Sequence, residues 1–187
     1  MANKVTILLG SPRKKGSGNS ELLADAFAAG AEEAGYEVSK IRLAGLKIAG
    51  CVDCRMCWSK GVHCAVDDDM KEVYSALDDA DVIVYATPLY FFSWPAQIKP
   101  AWDRLLPYFS KKSKVSMAGR RAVLLAAAGD DEEDVFDGLK KSFELACRYC
   151  KWDNIGEICV PDVNEAGAVS GKKEWLEKAR ALGKSLG

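Results

Sequence analysis

Short apolar runs alternate with longer stretches in which apolar residues return every three or four positions. The first run, Val5-Thr6-Ile7-Leu8-Leu9, is closed by Gly10 and has the pattern of a buried parallel strand. Leu22, Leu23, Ala26, Phe27, Gly30 and Ala34 then recur at helical spacing, and Gly35 stands where a helix stop belongs. Positions 37–43 alternate as a second strand. Positions 67–77 suit a helix with carboxylates on its first turn, where the helix dipole favours them. A third strand is predicted over 81–87. Ile98, Ala101, Trp102, Leu105 and Leu106 mark the helix after it, which Pro100 should delay or kink. Positions 121–128 form a fourth strand, and Val135, Phe136, Leu139, Phe143 and Cys147 stripe the next helix. A fifth strand over 155–160 and a closing helix over 172–186 complete the pattern.

Five strands alternating with helices imply an α/β fold, a parallel sheet covered on both faces. Right-handed crossovers limit the topologies, and the order 2-1-3-4-5 is expected. There is no repeat, linker or break in composition, so residues 1–187 are expected to form one domain with a cysteine-rich loop at 50–66. In such sheets ligands bind beyond the carboxyl ends of the strands, near the switch point between strands one and three. The chemistry should therefore follow Leu9, Thr87 and Ala128.

Charge narrows the classes. Lysine plus arginine (26) nearly balances aspartate plus glutamate (27), which offers no strong field to nucleic acid or an acidic membrane. The apolar runs are too short to cross a bilayer, and the amino-terminal residues lack the pattern of a secretory leader. A cytoplasmic protein is expected. Seven cysteines, an odd count, argue against a disulfide scaffold, and four crowd into Cys51–Cys64.

The segment after strand one, Gly10-Ser11-Pro12-Arg13-Lys14-Lys15-Gly16-Ser17-Gly18-Asn19-Ser20, joins a buried strand to a helix start. Backbone N–H groups and the positive helix end favour an anion there. Ser11, Ser17, Asn19 and Ser20 supply short polar side chains, Arg13 a permanent cation, and Gly18 room for close approach. It is neither a Walker loop nor a dinucleotide fingerprint. A plain capped turn is the competing reading. The stretch Gly10-Ser11-Pro12-Arg13 with Gly18-Asn19-Ser20 and Leu23 resembles the NADPH-dependent FMN reductase family of flavodoxin-like proteins. The resemblance implies a three-layer flavodoxin-like sandwich in which this loop wraps the FMN phosphate.

After strand three come Thr87, Pro88, Leu89 and then Tyr90, Phe91, Phe92 and Trp94, four aromatics in five positions. Such a loop suits either a flat ring ligand or a subunit interface. Thr-Pro-x-Tyr-Phe-x-x-x-Pro-Ala-x-x-Lys with a following Asp-Arg is similar to the same family. There Thr87, Pro88, Leu89, Tyr90 and Phe91 would line the isoalloxazine, and the aromatics would help form a homodimer or homotetramer. Gly129, at the end of strand four, would let the flavin edge approach; a plain strand–helix junction is the alternative there.

Cys51, Cys54, Cys57 and Cys64 are spaced Cys-x2-Cys-x2-Cys-x6-Cys. Four thiolates suit an iron–sulfur cluster or tetrahedral zinc, and free or redox thiols are the remaining alternative. Zinc sites usually pair cysteines two and two across a longer gap. With Asp67-Asp68-Asp69-Met70 behind it, the motif resembles the iron–sulfur flavoprotein branch of the family, where a [4Fe–4S] cluster exchanges electrons with the flavin. His63, the only histidine, is expected as an exposed loop residue. Cys147 and Cys150 share a helix face and are expected in the core, as is Cys159 in strand five.

The resemblance implies an FMN-dependent oxidoreductase that takes hydride from NAD(P)H and passes it to a flavin, quinone or similar small acceptor. It also allows an iron–sulfur flavoprotein working between a ferredoxin-type donor and a small acceptor. No catalytic acid or base is evident. A non-catalytic flavodoxin-like binding module is the alternative from another class.

Overall fold

The computed structural model describes residues 3–61 and 63–187. Five strands form one parallel sheet: β1 (Lys4–Leu9), β2 (Glu37–Arg42), β3 (Val82–Pro88), β4 (Arg121–Ala127) and β5 (Asp153–Val160). Their order is β2-β1-β3-β4-β5, the expected flavodoxin-like arrangement. Among the described residues six α-helices flank it: α1 (Asn19–Glu33), α2 (Met56–Lys60), α3 (Met70–Asp79), α4 (Lys99–Asp103), α5 (Asp137–Cys150) and α6 (Lys173–Lys184). No helix among the described residues is long and apolar enough to cross a membrane.

The period of two along each strand divides the core. Leu8, Ile83, Tyr85 and Leu124 face one layer with α3 and α5, while Ile7, Leu9, Val84 and Leu125 face the other with α1 and α6. Both faces of the central strands are buried, which is why they appear as continuous apolar runs.

Gly30 and Gly183 let α1 and α6 touch backbone to backbone. A Cβ on Gly30 would lie 2.0 Å from the Arg180 carbonyl oxygen, and one on Gly183 would lie 2.1 Å from that of Phe27. An exposed helical Gly→Ala change gains about 1 kcal/mol in propensity. Here forced separation of the helices outweighs that gain. Gly30→Ala is expected to lower stability by about 1–3 kcal/mol, read as a lower urea midpoint.

Several expectations need correction. Strand two ends at Arg42, and Leu43–Gly45 turns away as a short 3₁₀ segment. The helix near Pro100 neither starts late nor kinks. Pro100 sits in the first turn of α4, where its missing N–H costs nothing, and the helix stops at Asp103. Leu106–Phe109 continue it as a 3₁₀ turn. Asp67 to Asp69 precede α3 instead of forming its first turn. His63 is half-buried and held: its ring stacks on Tyr74 at 4.5 Å, with Nε2 3.2 Å from Asp78. Cys147 and Cys150 are core residues as expected, and burial pushes both thiols up to about 12. Cys159 is only half-buried by side-chain exposure, and the same cause raises its thiol to about 12.

Candidate functional site

Parallel pairing runs just past the strand ends and draws four loops together. The Gly10 N–H donates to the Ala86 carbonyl, Leu89 N–H to Ala127, Ala128 N–H to Val160 and Val163 N–H to Ala128, all at 2.8–3.0 Å. Beyond them lies a cavity of about 220 Å³ lined by Ser11, Arg13, Asn19, Ser20, Pro88–Tyr90, Ala127, Gly129 and Val163–Asn164. A second, apolar cavity of about 340 Å³ adjoins it, sharing Leu89 and Gly129 and adding Phe91, Phe92, Ala128, Asp130 and Val135.

The polar cavity abuts the start of α1. Gly18 is the N-cap residue, and no side chain caps the helix. The first-turn N–H groups are therefore left for an external acceptor. The Ser20 hydroxyl makes no hydrogen bond to the described residues and is free to donate. Arg13 lines the same wall and donates one N–H to the Asn164 carbonyl. The negative charge of Glu21, in the first turn, is answered from behind. Arg42 donates to its carboxylate at 2.7 Å and to the Ser11 and Arg13 carbonyls at 3.0 Å. The Gly16 N–H adds 3.1 Å. This brace holds the loop's curvature and removes a repulsion an anion would otherwise meet.

Close packing sets the cavity's width. A Cβ on Gly18 would lie 2.7 Å from Ser11 Oγ, and one on Gly129 would lie 2.9 Å from Asn164 Oδ1. Of the residues expected to bind phosphate, Ser11, Arg13, Asn19 and Ser20 are brought together. Ser17 is not: its hydroxyl donates to the Lys14 carbonyl at 2.6 Å and stabilises the turn. Gly18 packs behind Ser11. Asn19 lines the cavity, but its amide is committed to a different task. Nδ2 donates to the Val163 and Glu165 carbonyls at 2.6 and 2.9 Å, and Oδ1 accepts from the Val169 N–H at 3.2 Å. Asn19 thus fixes the loop after β5 to α1.

On the ring side, Pro88, Leu89 and Tyr90 reach the polar cavity and Phe91 the apolar one. Thr87 is fully buried beneath them, its hydroxyl donating to the Pro88 carbonyl. Tyr90 and Ser93 exchange N–H···O bonds of 3.2 and 3.1 Å around Phe91 and Phe92, whose φ angles are +45° and +61°. Two consecutive left-handed residues define a tight hairpin turn that ordinarily takes Asn-Gly. Two phenylalanines there carry backbone strain, and Phe91 is 98% exposed.

The cysteine motif occupies the loop between Leu43–Gly45 and α3. Cys51 and Cys54 are exposed, Cys57 and Cys64 half-buried, and all are free thiols. Burial pushes the Cys57 thiol up, and the nearby charges of Cys64, Cys54 and Cys51 add to it. Among the described residues no three His, Cys, Asp or Glu side chains converge closely enough to hold a metal ion. The motif thus gathers four sulfur donors on one loop. Val62, inside the motif, lies outside the described residues.

The base of that loop is clamped. Arg104, 1% exposed, pairs with Asp68 through N–H bonds of 2.6 and 2.9 Å. The same guanidinium donates to the Ala49 and Val66 carbonyls at 3.0 and 3.4 Å, one on each side of the motif. Asp68 also accepts from the Ala49 N–H, and Asp69 from the Lys47 N–H. Burial favours the neutral Asp68 carboxyl, but the Arg104 hydrogen bonds and the Ala49 and Met70 N–H groups outweigh it and hold it below its ordinary value. Asp68 and Asp69, of the acidic triplet behind Cys64, therefore clamp the loop, while Asp67 pairs with Lys71 on the surface.

Comparison with known proteins agrees with this geometry. The family profile described as NADPH-dependent FMN reductase matches residues 3–135. An iron–sulfur flavoprotein of Archaeoglobus fulgidus is 35% identical over 70% of this chain and 58% of its own length. One from Methanosarcina thermophila is 35% identical over 62% of this chain and 61% of its own. The chain thus spans about three fifths of these two relatives. An iron–sulfur flavoprotein of Methanocaldococcus jannaschii is 30% identical over 98% of this chain and 95% of its own length. Among solved structures, an NAD(P)H:quinone oxidoreductase from Methanothermobacter marburgensis superposes with a TM-score of 0.77 at 22% identity, covering 100% of this chain and 96% of that one, which is a likeness of fold. The chain therefore belongs to the NADPH-dependent FMN reductase family, in its iron–sulfur flavoprotein branch.

Proposed function

We propose that the protein is an FMN-dependent oxidoreductase. The observation that carries this reading is the pair of adjoining cavities, one polar at the α1 start and one apolar beside Leu89 and Phe91. They fit a mononucleotide: Ser11, Arg13, Ser20 and the first N–H groups of α1 would hold the phosphate. Pro88, Leu89, Tyr90, Phe91 and Gly129 would flank the ring. Gly129 lines both cavities, where a Cβ would press on Asn164 Oδ1 at 2.9 Å. Bound FMN supplies hydride and single-electron chemistry. The protein's part is to bind and orient it, with NAD(P)H as donor and a flavin, quinone or similar small molecule as acceptor.

A second reading is favoured by the four free thiols on a clamped loop. All-sulfur donors fit a [4Fe–4S] cluster held by Cys51, Cys54, Cys57 and Cys64, with electrons arriving from a ferredoxin-type donor. Protein purified without oxygen separates the readings. Flavin absorbance with steady NAD(P)H oxidation supports the first. Iron and sulfide in equal amounts, with a broad absorbance bleached by dithionite, support the second. Absence of FMN would leave only a binding module.

The strained, exposed Phe91–Phe92 turn supports a homodimer built over the ring-side cavity. Phe91→Asn relieves the left-handed strain and removes the apolar tip. The turn is expected to survive while dimer affinity falls by about tenfold or more, measured by sedimentation against concentration.

A further inference from the structure

The polar cavity has a fourth wall, supplied by the loop after β5. Val163 and Asn164 line it beside Arg13 and Gly129. A loose loop must lose backbone entropy before it can hold a ligand. This one is already fixed. The Asp162 N–H donates to the Asp130 carbonyl at 2.6 Å, and the Val163 N–H to the Ala128 carbonyl at 2.8 Å. Lys172 Nζ donates to the Pro161 carbonyl at 2.9 Å. The Asn19 amide takes the Val163 and Glu165 carbonyls, one on each side of Asn164. The carbonyl of Asn164 itself accepts from the Arg13 guanidinium.

The Asn164 side chain is the loose end of this pinned segment. Its Nδ2 meets the Glu165 carboxylate at 3.5 Å, the outer limit of a hydrogen bond, and its Oδ1 accepts none from the described residues. Asn19, on the same cavity, is the contrast, with both ends of its amide engaged. The Asn164 amide stands against the Gly129 backbone, where a Cβ would lie 2.9 Å from Oδ1 and 3.2 Å from the Asn164 Cβ. Gly129 lines both cavities, so an open acceptor and an open N–H are presented at the seam between them.

The chemistry of that seam follows from the order of groups in a mononucleotide: phosphate, hydroxylated chain, ring. With the phosphate at the α1 start and the ring beside Leu89, the chain crosses from one cavity to the other. Hydroxyls donate and accept, and a carboxamide does both in return. The phosphate is a poorer match, because the exposed Glu165 carboxylate lies beside this amide. The ring is a poorer match too, because Asn164 does not line the apolar cavity. We propose that Asn164 is a binding residue for the ribityl chain of FMN. Its amide meets the chain hydroxyls, while its main-chain carbonyl holds Arg13 on the phosphate wall. This rests on the flavin reading given above.

The test is the binding of three flavins to flavin-free Asn164→Ala protein, followed by quenching of flavin fluorescence. FMN carries ring, chain and phosphate, riboflavin ring and chain, and lumiflavin the ring alone. Asn164 is exposed and its φ is not positive, so alanine fits the backbone and keeps the carbonyl that Arg13 uses. The flavin-free urea midpoint is expected to stay at the wild-type value. FMN and riboflavin should weaken alike, by about fivefold to tenfold, and lumiflavin should not change. Arg13→Ala should give the other pattern, a loss for FMN alone. A loss confined to FMN in Asn164→Ala would make the residue a phosphate contact and overturn the proposal. An equal loss for all three flavins would place the amide on the ring and overturn it as well, as would no loss at all. Failure of the flavin reading shows separately, in wild-type protein that binds none of the three.

Discussion

Asp68→Ala is expected to cost about 3–5 kcal/mol of stability and, on the proposed cluster reading, to strip iron from protein prepared without oxygen. The change leaves the Arg104 guanidinium buried without its counter-ion, and a guanidinium cannot shed its charge. It also frees both ends of the cysteine loop, since Arg104 holds the Ala49 and Val66 carbonyls only while Asp68 fixes it. Arg104→Met should cost less, about 2 kcal/mol, because the abandoned Asp68 can take up a proton and keep its N–H donors from Ala49 and Met70. The wild-type pair also carries a pH signature. The native Asp68 carboxyl lies below its ordinary value, so its contribution is complete above the unfolded pKa of about 3.9 and drains away as pH falls through the native one. Urea midpoints compared between pH 6 and the acid limit, with Arg104→Met as reference, check the sign. If both single variants unfold at the wild-type midpoint, the clamp is not structural.

The second large effect separates two roles for Asn19. Its amide joins α1 to the loop after β5 through three hydrogen bonds. Asn19→Ala leaves the Val163 carbonyl and the Val169 N–H buried without partners. A loss of about 3 kcal/mol is expected even in protein freed of flavin. FMN retention is expected to fall as well, because Val163 and Asn164 line the polar cavity proposed to take the phosphate. Ser20→Ala gives the contrasting pattern. Its hydroxyl faces the cavity unpaired, so flavin-free stability should hold while FMN binding weakens by about tenfold or more. Flavin-free Asn19→Ala protein as stable as wild type would restore the amide to the role of a direct phosphate ligand.

How much of this was legible beforehand follows from the range of each signal. The central strands are apolar on both faces, so Val5–Leu9 and Val82–Ala86 stand out, and alternation with helices carries the sheet order. The loops after Leu9 and Thr87 were found because the switch-point rule points there. The same rule overlooks the loop after β5, and with it Val163 and Asn164. Asn19 shows a subtler limit: residue type predicts a polar side chain at a helix start, but not which carbonyls will claim it. Arg104 and Asp68 lie 36 positions apart and neither belongs to a periodic pattern. The triplet 67–69 looked like dipole compensation because its buried partner is invisible until α4 packs over the loop. The cysteine spacing announced four sulfur donors on one loop, and the structure adds that Cys57 and Cys64 are half-buried while Cys51 and Cys54 are exposed.

Riboflavin is FMN without its phosphate, so competition between the two asks the protein directly what the mouth beyond Leu9 was built to hold. Titrated into flavin-free protein, FMN is expected to bind one per chain and at least about a hundredfold more tightly than riboflavin, roughly 3 kcal/mol from the α1 amides, Ser11, Ser20 and Arg13 together. Equal affinity for the two flavins would mean the phosphate finds no home there, and the assignment of the site would fall.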